Sequence, residues 1–160
     1  MVKGVRKLMV ILLTLTLAVI SAGVDVSYAK DVFDITDGYH MVNSYRMSYN
    51  LKAGKGHKLK MLKRDSKLEK AAMIRAKEIV RTGKFSHIRP NGESSLSLIK
   101  GRRVRGENLG IGYSTYEKVF TAWRKSPPHR RNILNRKFRK VGIAAYCRNG
   151  RICWVQMFSS

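Results

Sequence analysis

The stretch KVGIAAYCRNGRICWVQMF, residues 140–158, decides how the chain is read. Its two halves are apolar and rich in β-formers, and Asn149-Gly150 between them is a strong hairpin signal. Two antiparallel strands are therefore predicted at the C-terminal end. Both are apolar on both faces, so the sheet they belong to should be covered by helices on each side. Cys147 and Cys153 flank the turn. A three-residue loop over 149–151 sets them opposite each other, whereas a two-residue loop leaves them one position out of register. The expectation is a short disulfide between Cys147 and Cys153, the alternative being two free thiols.

Upstream of the hairpin the pattern changes to helices. Residues 34–51 carry apolar groups at Tyr39, Val42, Tyr45 or Met41, and Tyr49, with Thr36 or Asp37 as a cap. Residues 64–83 give the clearest helix. Ser66 and Glu69 read as a capping box, Leu68, Ala72, Arg75-Ala76 and Ile79 follow one face, and Gly83 ends it. Residues 84–113 are rich in Gly, Ser and Arg and read as loop, with one helical turn near 95–100. A further helix starts at a second capping box, Ser114 to Glu117, and carries Tyr116, Val119, Phe120 and Trp123 on one side. Pro127 and Pro128 stop it. Three helical segments and a terminal hairpin predict an α+β domain with helices packed on an antiparallel sheet.

The N-terminal end reads differently. Residues 1–29 have a basic start at Lys3, Arg6 and Lys7, an apolar run from Leu8 to Ile20, and small residues at Ser27 and Ala29. That is the pattern of a secretory signal peptide, and its apolar core is shorter than the ~20 residues a permanent bilayer span needs. The expectation is an exported single domain over residues 30–160, with no stable transmembrane segment. An uncleaved membrane anchor is the competing reading.

Charge is the most pronounced global property. The chain has 33 Lys+Arg against 10 Asp+Glu, a formal net charge of +23. The signal segment holds only three of those bases and one acid, Asp25. A field of this sign attracts polyanions and acidic surfaces. The expected partner is an anionic cell-envelope polymer or lipid. Nucleic acid fits the charge but has no motif behind it.

Three ionisable residues stand out against this background. His87 follows a helix end, Glu107 sits in the glycine-flanked segment GENLGIG, and His129 follows the double proline. If they converge, two imidazoles and a carboxylate offer three ligands for zinc or another divalent cation with a position open for water. They equally suit an acid–base pair. Spacing alone leaves both open.

The order FSH, GENL, AW, SPPHRRNIL, VGIA, WVQMF closely resembles the CAP family of cysteine-rich secretory proteins, antigen 5 and pathogenesis-related proteins, above all its bacterial secreted branch, and the similarity as a whole runs from about Tyr39 to Phe158. The resemblance implies a three-layer α-β-α sandwich and a shared cleft with two histidines and two glutamates. Matched residue by residue, the cleft falls on His87, Glu107 and His129, while the second glutamate's position holds Ser126. Asn108 then braces the loop, and Arg130 and Arg131 stand with Ser126 and Asn108 at the cleft rim. The resemblance implies an extracellular binding module, its His/Glu cleft holding a divalent metal or small ligand. The alternative is a metal-assisted hydrolase, peptidase or cell-wall and ester hydrolase, using the same residues.

Overall fold

The computed structural model describes residues 35–53 and 58–160. The signal segment, residues 1–29, lies outside the described residues. Helix α1 spans Thr36–Ala53, followed by the two-residue strand β1, Lys63–Arg64, and helix α2, Ser66–Thr82. A 3-10 turn over Ser95–Ile99 leads to β2, Arg105–Ile111. Helices α3, Tyr116–Lys125, and α4, Pro127–Ile133, precede the hairpin of β3, Lys140–Arg148, and β4, Arg151–Ser159. One sheet results, in the order β1-β3-β4-β2. β4 pairs antiparallel with both β3 and β2, but β1 runs parallel to β3, so the sheet is antiparallel except at that short edge.

The two faces of the hairpin bury different helices, as its doubly apolar pattern requires. Val141, Ile143, Ala145, Trp154 and Phe158 pack against Val42 of α1, the α3 residues Tyr116, Val119, Phe120 and Trp123, and Ile133 of α4. Ala144, Tyr146, Cys153, Val155 and Met157 pack against Leu68, Ala72, Ala76 and Ile79 of α2. The sheet is thus the middle layer of an α-β-α sandwich. Gly142 lets α2 lie directly on β3, because a Cβ there would come within 2.2 Å of the Leu68 carbonyl carbon and 2.3 Å of the Glu69 nitrogen.

Several local expectations are corrected. Asp65, not Ser66, caps α2, its carboxylate accepting from Lys67 N and Leu68 N. Glu69 is not the return arm of a capping box, since it accepts from the Tyr39 hydroxyl at 2.5 Å and pairs with Arg64. Thr115, not Ser114, caps α3. On α1, Tyr49 is exposed while Arg46 is fully buried, its guanidinium donating to the carbonyls of Lys60, Ile133 and Asn135. Residues 105–111 are a strand rather than loop, supplied with partners by β4. The glycines that disguise it are needed there. A Cβ at Gly106 would meet Phe138 at 2.8 Å, and one at Gly110 would meet Val119 at 2.2 Å.

The expected disulfide does not form. Arg148 pairs with Arg151 around a two-residue turn, with Asn149 at φ 50 and Gly150 at φ 73. Cys147 stands opposite Ile152 and Cys153 opposite Tyr146. Neighbouring positions on a strand point to opposite faces, so the two thiols are separated by the sheet and both cysteines are free.

Candidate functional site

β2 is an edge strand, and the three ionisable residues gather along it. Glu107, in the middle of β2, turns toward α2 with its side chain only 2% exposed. One carboxylate oxygen bonds His87 Nδ1 at 2.6 Å. The other accepts from Arg75 Nε at 3.3 Å. Arg75 is itself buried and reaches Glu78 at 2.5 Å and the Ser86 carbonyl at 2.6 Å. Arg89 closes the chain of charges on Glu78 at 2.8 Å. The segment after α2 is thereby tied down on both sides of His87. A bridge between Ile88 and Ser94, with Ser95 N donating to the His87 carbonyl at 2.8 Å, completes the support. The imidazole itself stays exposed, between the exposed side chains of Phe85 and Ile88.

His129 stands on the other side of the same strand, in α4 rather than at a bare helix stop. The prolines end α3 and also begin α4, occupying its first two positions, where a missing N–H leaves no hydrogen bond unmade. They have a second effect. A helix cap normally satisfies free N–H groups in the first turn. With prolines there, Ser126 makes no side-chain bond to the helix backbone. Its hydroxyl instead shares a 2.8 Å hydrogen bond with His129 Nδ1. The ring lies 6.5 Å from that of Trp123.

Asn108 alternates to the opposite face from Glu107 and is fully buried, so it does not stand at an exposed rim. It donates to the His129 carbonyl at 3.2 Å and to Gln156 at 2.9 Å, and accepts from Asn132 at 2.9 Å. Asn132 also donates to the Glu107 carbonyl at 3.0 Å. One strand therefore positions both imidazoles: the Glu107 side chain holds His87, and Asn108 holds the backbone that carries His129. Arg130 and Arg131 are exposed on α4.

The two imidazoles are pushed apart in acidity. The hydrogen bond to Glu107 raises the pKa of His87 above the ordinary value, outweighing partial burial. Burial lowers that of His129, helped by the positive charge of His87. No hydrogen bond joins His129 to His87 or Glu107, and among the described residues no three His, Cys, Asp or Glu form a ready metal cage.

As a metal ligand Glu107 would have to share oxygens that already bond His87 and Arg75. The imidazoles fit. Each has Nδ1 beside an oxygen partner: the Glu107 carboxylate accepts from His87 Nδ1 and leaves Nε2 as the metal donor, and His129 Nε2 is free in the same way in the tautomer that donates from Nδ1 to Ser126 Oγ. Sequence reading missed Arg75, Glu78, Arg89, Asn132 and Gln156. Arg75 gave a signal, as a charge on the apolar face of α2. Among the described residues no helix is long and apolar enough to cross a membrane.

Comparison with known proteins agrees with this architecture. Residues 39–158 match the model of the cysteine-rich secretory protein family, CAP. The uncharacterized protein YkwD of Bacillus subtilis is 35% identical over 104 residues, 62% of this chain and 40% of that protein, so the chain spans well under two thirds of the relative's length. An outer surface protein of Borrelia burgdorferi superposes with a TM-score of 0.69 at 22% identity, covering 79% of this chain and 92% of that one. An extracellular protein containing an SCP domain, from Bacillus anthracis, superposes with a TM-score of 0.64 at 24% identity, covering 76% of this chain and 38% of that one. The chain belongs to the cysteine-rich secretory protein family, CAP, over residues 39–158.

Proposed function

We propose that the protein is a secreted binding module that works at the cell envelope. Its cleft takes a divalent cation, zinc for preference, through Nε2 of His87 and Nε2 of His129. The observation that carries this reading is the pair of Nδ1 hydrogen bonds, to Glu107 at 2.6 Å and to Ser126 at 2.8 Å. They fix both rings while leaving one nitrogen of each unoccupied. Water or an external ligand completes the coordination, which suits capture of a small anionic molecule beside Arg130 and Arg131. The strong positive charge of the chain supports attachment to an anionic envelope component.

A thermal melt tests the cation site. Ligand at about 100 times its Kd stabilises by roughly 2.7 kcal/mol, so saturating zinc should raise Tm by several degrees. His87→Ala and His129→Ala should each remove most of that rise. A melting curve indifferent to zinc rejects the site.

The opposite displacement of the two histidine pKa values favours a second reading, metal-assisted hydrolysis with His129 as the base. It requires turnover on a peptidase, esterase or cell-wall hydrolase panel that is lost in His129→Ala.

A further inference from the structure

Two basic stretches, KGRRVR at 100–105 and RKFRK at 136–140, are distant in sequence and contain no acid. The sheet register brings them together. Ser159 of β4 stands opposite Arg105 on one side and Lys140 on the other. Lys63 of β1 stands beside Lys140. The row Lys63, Lys140, Ser159, Arg105 therefore crosses all four strands at one end of the sheet, with Ser159 buried and the three basic residues reaching solvent. With ~4.8 Å between neighbouring strands it is about 14 Å long. Arg103, Arg136, Lys137 and Arg139 are exposed around it.

Backbone bonds fix both stretches to the end of β4. Arg139 N donates to the Ser159 carbonyl at 2.8 Å, and Ser160 N donates to the Val104 carbonyl at 3.0 Å. Among the described residues one carboxylate side chain reaches the row: Asp65, which pairs with Arg102 at 3.0 Å and Lys140 at 3.3 Å. Next to the row Arg64 pairs with Glu69, and Glu93, which bonds Arg89, also lies 3.8 Å from Lys100 at the start of the first stretch. The crowding extends inward. Burial brings the Arg46 guanidinium down to about 10, and the charge of Arg139 adds to that fall.

We propose that this end of the sheet is the docking surface for a linear phosphodiester polymer of the cell exterior, with successive phosphates seated along the strand-crossing row. The proposal rests on the envelope reading above and gives it a place and a chemical class. Charge complementarity selects a polyanion. The large apolar side chains exposed on the described chain fall in neither basic stretch, and the one near the row is Met61, two residues before Lys63. A lone methionine is a small wedge for seating a protein in lipid, and neither stretch carries an exposed aromatic ring on which bases stack. A polymer carrying phosphates without bases or acyl chains is the occupant that remains.

The test uses the full chain, poly(glycerol phosphate) as probe, and two triple variants of equal net charge. One reverses the row's surroundings, Arg103→Glu, Arg136→Glu and Lys137→Glu. The other reverses charges away from it, Lys70→Glu, Lys118→Glu and Arg148→Glu. Circular dichroism confirms that both fold. At ~50 mM salt the first variant should bind at least about tenfold more weakly than the unaltered protein, and the second less than about threefold more weakly. Equal affinities in the two variants overturn the located surface while leaving envelope attachment intact. No binding by the unaltered protein even at low salt overturns both. Phosphatidylglycerol vesicles or duplex DNA bound as tightly as the polymer, with the same loss in the first variant, overturn the choice of occupant.

Discussion

Glu107 shows how a single buried carboxylate positions an exposed imidazole. Its oxygens meet one neutralising guanidinium, Arg75, and one imidazole, His87. Removing the charge should therefore register first at His87. In an NMR titration of the metal-free protein, His87 should titrate above the usual 6.5 and His129 below it. Glu107→Gln should bring the His87 value down. The signs for stability are opposite. The contribution of His87 is complete below about 6.5 and disappears as pH rises through its raised folded value. That of His129, favoured neutral, is present above about 6.5 and is lost as pH falls through its lowered value. Coincident titration of the two rings contradicts the arrangement. At this scale the sequence was partly legible. His87, Glu107 and His129 could be picked out as ionisable groups lacking a structural reason. The partners of Glu107 could not, because Arg75 reaches it across 32 positions of chain. Arg46 was missed because a buried arginine satisfied wholly by carbonyls has no acidic partner to betray it.

Among the elements, helices and hairpin were readable because each declares itself locally. The α2 stripe, the α3 stripe and the Asn-Gly turn all need only their own residues. β2 was not readable. Its glycines are depleted in strands generally, and their reason lies in Phe138 and Val119, which approach from elsewhere in the fold. The double proline was half readable, since it marks the end of α3 but equally the start of α4. The hairpin register turned on one residue of loop length, and that difference put Cys147 and Cys153 on opposite faces. The close contact of α2 with β3 provides the test at this level. Gly142→Ala forces a methyl group into backbone atoms of α2 rather than into a flexible side-chain end. It should cost about 1–3 kcal/mol or more in a denaturant melt. A loss within a few tenths of a kcal/mol would mean that α2 does not lie so close to the sheet.

For the whole molecule, the sandwich followed from one property of the hairpin, its apolar residues on both faces, which only two helical layers can cover. The two proposed binding regions sit at different places on that sandwich. The cleft runs along the β2 edge, and the basic row crosses one end of the sheet. The row was invisible in the sequence because its lysines and arginines lie far apart along the chain and only the strand register sets them side by side. The link of both histidines to β2 was equally hidden, because α2 and α4 pack on opposite faces and His87 and His129 meet that strand through different residues, Glu107 and Asn108. The central claim is that His87 and His129, held at Nδ1 from behind, share one cation. Anomalous diffraction at the zinc edge, from crystals of the protein grown with zinc, measures this directly. The predicted result is a single peak bound by Nε2 of both rings, with Glu107 still bonded to His87 and Arg75. A cleft with no peak, or a peak bound by the Glu107 carboxylate, contradicts the account.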